Sequence, residues 1–188
     1  MRRSTGPFRP LQISTADLWD TIASDAGQES ALWTAALRPR EEQERVAVFS
    51  LLGEPRYALG IETIYEGYLL HYGRPRIFEP DDQDAALLLG DYLYAHGLVR
   101  IEEGGTVEAV SDLAELIALC AYLRAEVIAG DGPVWAATAA ALGRGELEEG
   151  RSSLRLDNDP NPLERLARMQ AGDVAVESAL ATHRARLS

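Results

Sequence analysis

Residues 81–128 read DDQDAALLLGDYLYAHGLVRIEEGGTVEAVSDLAELIALCAYLRAEVI, and this stretch decides the fold. From Asp81 to Ile101 the apolar residues Leu87, Leu88, Leu93 and Leu98 form a stripe, and acidic residues crowd the start, where a helix macrodipole favours negative charge. Gly104-Gly105 breaks the pattern, which resumes from Val107 to Ile128 through Leu113, Leu116, Ile117 and Leu119. Two long helices joined by a short glycine turn predict an antiparallel pair. Leu87, Leu88, Leu93, Leu113, Leu116, Ile117 and Leu119 are its expected core.

The same periodicity extends in both directions. Downstream, Gly130 to Gly132 makes a turn into an Ala-rich helix over Pro133 to Leu142. Upstream, Pro55 to Tyr72 opens with proline in a tolerated first-turn position and stops at Gly73, a favourable C-cap. Thr15 or Ser14 caps a first helix to about Ala26, Gln28 to Leu37 forms a second that stops before Pro39, and Glu41 to Leu52 forms a third. Beyond Gly150, Arg151-Ser152-Ser153 and the run Asp157-Asn158-Asp159-Pro160-Asn161-Pro162 predict a flexible joint over 151–162. Leu163 to Leu187 follows as one or two amphipathic helices. No alternating run bounded by hairpin dipeptides appears. The expectation is an all-α protein: a helical bundle over 1–150, then a loop and amphipathic C-terminal helices over 151–188.

Composition narrows the function. With 188 residues, 46% apolar and 26% charged, the chain is sized for one core. A net charge of -12 opposes a broad nucleic-acid surface and adhesion to an anionic leaflet. No segment is apolar and long enough for stable membrane insertion, and Arg2-Arg3 is followed by polar residues rather than a secretory apolar run, so a cytoplasmic location is expected. Cys120 lies in an apolar run and reads as a small core residue. His71, His96 and His183 lack partners at metal-ligand spacing and read as surface or edge residues, while Trp19, Trp33 and Trp135 read as core anchors.

Gly73-Arg74-Pro75, thirteen residues, and then Leu89-Gly90-Asp91-Tyr92-Leu93-Tyr94-Ala95 resembles a passage of the trans-prenyl diphosphate synthases. The likeness covers about Tyr57 to Ala95 and extends less surely to Gly145-Glu146-Leu147. It implies a bundle like the front half of the isoprenoid synthase fold. In that family Mg²⁺ bridges a departing diphosphate to aspartates, because this hard cation takes carboxylate and phosphate oxygens. The first aspartate-rich motif falls here on Glu62-Thr63-Ile64-Tyr65-Glu66, with glutamate at two aspartate positions and threonine at the third. The resemblance therefore assigns Glu62 and Glu66 to a metal site, with Mg²⁺ as cofactor only if the diphosphate site is retained. It assigns Tyr57, Ala58 and Arg74 to substrate binding. His71 and Tyr72 stand where the family has its diphosphate-clamping arginines, and neutral side chains do not replace a bidentate guanidinium. Asp157-Asn158-Asp159 reads as a turn, not as the second motif.

The resemblance implies a prenyl diphosphate synthase-like subunit with no catalytic residue, which pairs with a full-length polyprenyl diphosphate synthase, or with itself, and modulates its stability or product length. The helices carrying Gly90-Asp91 and Cys120 are the expected interface, with Leu93 in it. The alternatives are a weak Mg²⁺-dependent prenyltransferase using Glu62 and Glu66, and an unrelated helical interaction protein.

Overall fold

The structure is a computed structural model that describes residues 15–187, with side chains from Leu18 onward. Among the described residues there are nine α-helices and no strand, so the all-α expectation holds. In order they are α1 (Thr15–Glu29), α2 (Ala31–Ala35), α3 (Ala58–Tyr72), α4 (Gln83–Gly104), α5 (Val107–Ala125), α6 (Asp131–Ala140), α7 (Glu148–Asp157), α8 (Asn161–Ala171) and α9 (Asp173–Leu187). No described helix is long and apolar enough to cross a membrane.

The bundle is built around α3. Every residue from Gly60 to Leu70 is buried, as expected for a helix enclosed on all sides. The helix packs most extensively on α4, and this crossing depends on glycines. A Cβ at Gly67 would stand 2.8 Å from the Gly90 carbonyl oxygen, and one at Gly97 would stand 2.4 Å from Ile64 Cγ1. The two backbones therefore approach closely, and α4 buries Leu89, Gly90, Leu93, Gly97 and Ile101. Leu93, Leu113, Leu116 and Leu119 lie in the core and Ile117 is half-buried against it, as expected. Leu87 and Leu88 do not: they are 41% and 61% exposed, because the glycine face, rather than the leucine face, turns toward α3.

Three further expectations are corrected. Glu41 to Leu52 is not a helix but two short 3-10 turns, Arg40–Glu42 and Ser50–Leu52, with irregular chain between them. Its amides are taken by distant partners: Val48 and Ser50 donate to Glu62 at 3.0 Å, and Glu44 donates to the Arg76 carbonyl at 2.9 Å. The second helix is only Ala31–Ala35, because Ser30 caps it by accepting from the Leu32 amide. Finally, 151–162 is not a flexible joint. Helix α7 runs through it to Asp157, Arg151 and Leu154 are buried, and the turn narrows to Asn158 and its neighbours, with Asn158 in the left-handed conformation (φ 53°).

That helix joins both parts of the chain into one core. Leu154, Leu163, Ala167, Val176 and Leu180 belong to the same buried cluster as Ile61, Leu116 and Trp135, so 151–188 does not form a separate appendage. A second cluster under α1 and α2 contains Trp19, Ile22, Trp33, Ile77, Phe78 and Leu89.

Candidate functional site

Glu62 and Glu66 lie one turn apart on α3, so both carboxylates leave the same side of the helix. The chain returns to that side immediately after the Gly73-Arg74-Pro75 turn and inserts Arg76. This arginine is fully buried. Its Nε donates to Glu66 Oε2 at 2.8 Å, and its Nη1 makes a short contact with Glu62 Oε2. Nη1 also donates to the Val46 carbonyl at 3.1 Å and Nη2 to the Glu62 carbonyl at 3.0 Å. The guanidinium is stacked between Trp19 and Tyr65, 4.5 and 4.8 Å from the ring centroids. Burial works against its charge, but the two carboxylates outweigh that penalty and hold its pKa above the ordinary arginine value.

The remaining carboxylate oxygens are also engaged. Glu62 Oε1 accepts from the Val48 and Ser50 amides, and Glu66 Oε1 accepts from the Arg76 and Ile77 amides at 2.7 and 2.9 Å. All four oxygens thus have internal donors. A divalent cation takes lone pairs directed at open space, and those of Glu62 and Glu66 converge instead on a guanidinium and four amides. No group of three or more metal-ligating side chains gathers elsewhere among the described residues.

The three residues assigned to substrate binding do not meet at one place. Tyr57 is buried in the central cluster beneath Arg56, whose guanidinium lies 4.5 Å from its ring centroid. Ala58 packs at the edge of the second cluster. Arg74 binds the end of α9: its Nη2 donates to the Ala185 carbonyl at 2.6 Å and its amide to the Arg186 carbonyl at 2.9 Å, satisfying carbonyls that a helix C-terminus leaves free. His71 lies 3.2 Å from the Asp91 carboxylate and stacks on Tyr94.

A second polar centre escaped the sequence reading. Asp131 opens α6 and makes short contacts with the Tyr68 hydroxyl and Arg124 Nη2. Arg124 also donates to the Tyr68 oxygen from Nε and Nη2, at 3.0 and 2.8 Å. On the other side His183 of α9 places Nδ1 3.0 Å from the Tyr65 hydroxyl and Nε2 3.5 Å from Asp131. His183 is buried among Phe49, Tyr65 and Tyr68, which corrects its reading as a surface or edge residue. Burial raises the Asp131 pKa, but hydrogen bonds from His183 and Tyr68 and the Arg124 charge reverse that effect and hold the carboxyl well below its ordinary range. Burial, with Asp131 beside it, pushes the Tyr68 hydroxyl upward. The start of α6 after Gly130 is legible in sequence, whereas the partners contributed by α5 and α9 are not. A third buried pair joins Arg151 to Asp112 at 2.9 Å, and Asp112 also accepts from the Gly143 amide at 2.8 Å. That pair forms part of the wall of a surface cleft of ≈ 360 Å³ between α5 and α7.

These centres bind the fold together, and their charges face one another. The other distinctive feature is on the outside. Helix α5 exposes Val107, Ser111, Ala114, Ala118, Ala121 and Ala125, a seam without a charge, with Tyr122 beside it. Adjacent α4 exposes Leu87, Leu88, Ala95 and Val99 on the side turned away from α3. The chain matches no protein-family profile, no curated protein and no solved structure.

Proposed function

We propose that this chain is a non-catalytic helical subunit that pairs with a prenyl diphosphate synthase through the outer face of α4 and α5. The observation that carries the reading is that face: α4 exposes Leu87, Leu88 and Val99 among acids, and α5 exposes a seam without a charge, on a protein of net charge -12. A patch of this kind marks an interaction surface. The identity of the partner rests on the sequence resemblance over Tyr57 to Ala95. The non-catalytic character is supported by Glu62 and Glu66, which are consumed by Arg76 in the position where the family's metal ligands fall. Modulation of product length through Tyr57 and Ala58 would be transmitted by packing, because both are at least half-buried.

Leu93 is not an interface residue, since it is core, and a charge there would unfold the bundle. Leu88, which is exposed, and Ala118 on α5 are the appropriate positions. Co-expression with a full-length prenyl diphosphate synthase should give a complex that survives size exclusion at micromolar concentration and a product distribution different from that of the synthase alone. Leu88→Glu and Ala118→Glu should each release the partner while leaving the helical signal intact. Absence of any complex with wild-type chain, or Mg²⁺-dependent condensation by the isolated chain, would overturn the proposal.

A further inference from the structure

Along α4 the positions 84, 88, 91, 95, 98 and 102 follow alternating spacings of four and three, the spacing of a coiled-coil seam. They read Asp84, Leu88, Asp91, Ala95, Leu98 and Glu102, with exposed Val99 and Glu103 alongside. All are exposed except Leu98, which is half-buried. The seam of α5 has the same spacing and no charge. On α4 acids stand within the seam itself, whereas on α5 the exposed Glu108 and the Arg155-paired Glu115 lie beside it. Among the described residues no arginine forms a salt bridge with Asp84 or Glu102, Glu103 has only the charge of Arg100 nearby, itself turned to Asp25, and Asp91 has only His71 as a neighbour of opposite potential charge.

This pattern discriminates between occupants. Two copies related by a two-fold axis near Ala95 would run antiparallel along α4, setting Glu102 of one against Leu88 of the other and Asp91 against the Leu98-Val99 region. Acid would meet apolar surface with no base set against it, and burying a charge without compensation opposes association. An amphipathic helix with an apolar stripe and Lys or Arg on its flanks satisfies both the leucine seam and the acids. We propose that the outer face of α4, with α5 beside it, docks a basic amphipathic helix, and that Asp84, Asp91, Glu102 and Glu103 keep a second copy of this chain off the same face. The proposal rests on the interface role given above and specifies the chemistry of the partner.

The test uses the full chain and two synthetic helical peptides of about 20 residues, long enough to span α4. Both carry a leucine seam, one flanked by lysine and the other by glutamate. The lysine peptide should bind and the glutamate peptide should not. Binding should weaken about tenfold or more when Asp91→Asn, Glu102→Gln and Glu103→Gln are combined, and also at about 0.5 M salt. The double variant Leu88→Ser with Val99→Ser leaves the charge unchanged and should weaken binding by a similar factor. The sequence contains no lysine, so carbodiimide coupling of carboxylate to lysine links the α4 acids to the peptide and not to a side chain of a second copy.

Equal binding to the serine variant would reduce the attraction to diffuse charge and overturn the proposal. So would equal binding of the glutamate peptide, or wild-type dimerisation that depends on Leu88 at low salt. If the lysine peptide docks while a prenyl synthase does not associate, the proposed partner fails and the surface stands. If the synthase associates but neither peptide docks at α4, the surface assignment alone fails.

Discussion

Replacing Arg76 with methionine tests whether the charged centre on α3 is the internal lock described here. The variant keeps an unbranched side chain but leaves Glu62 and Glu66 buried without their cation. Removing one partner of a buried pair costs about 3–5 kcal/mol, and here one guanidinium serves two carboxylates. Its stacking between Trp19 and Tyr65 adds roughly 1–2 kcal/mol per ring in a dry site. The combined loss, about 5 kcal/mol or more, approaches the whole stability of an ordinary domain, roughly 5–15 kcal/mol. Urea titration followed by tryptophan fluorescence and far-UV circular dichroism should therefore show Arg76→Met largely unfolded at neutral pH. Arg76→Lys should be intermediate, because one ammonium cannot reach Glu62, Glu66 and the Val46 carbonyl together. A loss below about 1 kcal/mol would refute the lock. So would a Mg²⁺-dependent stabilisation of the wild type that disappears with Glu62→Gln, since it would mean the carboxylates are open to a cation.

Three further outcomes are expected. Val127, 92% exposed with φ 57°, is a β-branched residue in the left-handed region, so Val127→Gly should raise stability by about 1 kcal/mol in the same urea titration. Gly97→Ala should lower it by roughly 1–3 kcal/mol, because the new methyl would strike Ile64 and pry α4 from α3. Hydrogen bonds from Arg40 and Arg45 lower the Asp20 carboxyl to about 2, below its unfolded value of about 3.9. Its contribution is therefore present above pH 4 or so and is lost as pH falls toward about 2, so the stability difference between wild type and Asp20→Asn should narrow between pH 6 and pH 3.

How far the sequence speaks depends on whether a signal is local. Helices α4 and α5 were legible because their starts are capped within the element, by Asp82 accepting from Ala85 and by Thr106 accepting from Ala109, and because apolar residues repeat along them. The inward face of α4 was misread for a physical reason. Glycine carries no hydrophobic signal, yet Gly90 and Gly97 form the contact with α3, and the conspicuous Leu87-Leu88 pair is left outside. Helix α7 was hidden by its polar composition, since its buried arginine makes sense only with Asp112, 39 residues earlier. The segment 41–52 has helix-compatible residues, but its amides are claimed by Glu62 and by the Arg76 carbonyl. At the site, Glu62 and Glu66 were recognised as a pair with one purpose. The purpose depends on Arg76, which arrives from beyond the turn, and the Tyr65–His183 contact spans 118 residues.

The disposition of the arginines connects the interior to the exterior. Arg76, Arg100, Arg124 and Arg151 turn toward Glu62 and Glu66, Asp25, Asp131 and Asp112, so much of the positive charge is spent in pairs within or beside the core. The surplus of acid is therefore concentrated outside, and along α4 it flanks an apolar stripe. A field of that sign attracts a basic partner from a distance but contributes little once salt screens it beyond about 10 Å, whereas the leucine and valine contacts act only on touching. The two contributions should separate in the kinetics. Under the docking proposed for α4, neutralising Glu102 and Glu103 slows association and flattens its salt dependence. Truncating Leu88 leaves the encounter unchanged and speeds release. A Leu88 variant that altered only the association rate would mean that the apolar seam is not the surface the partner covers.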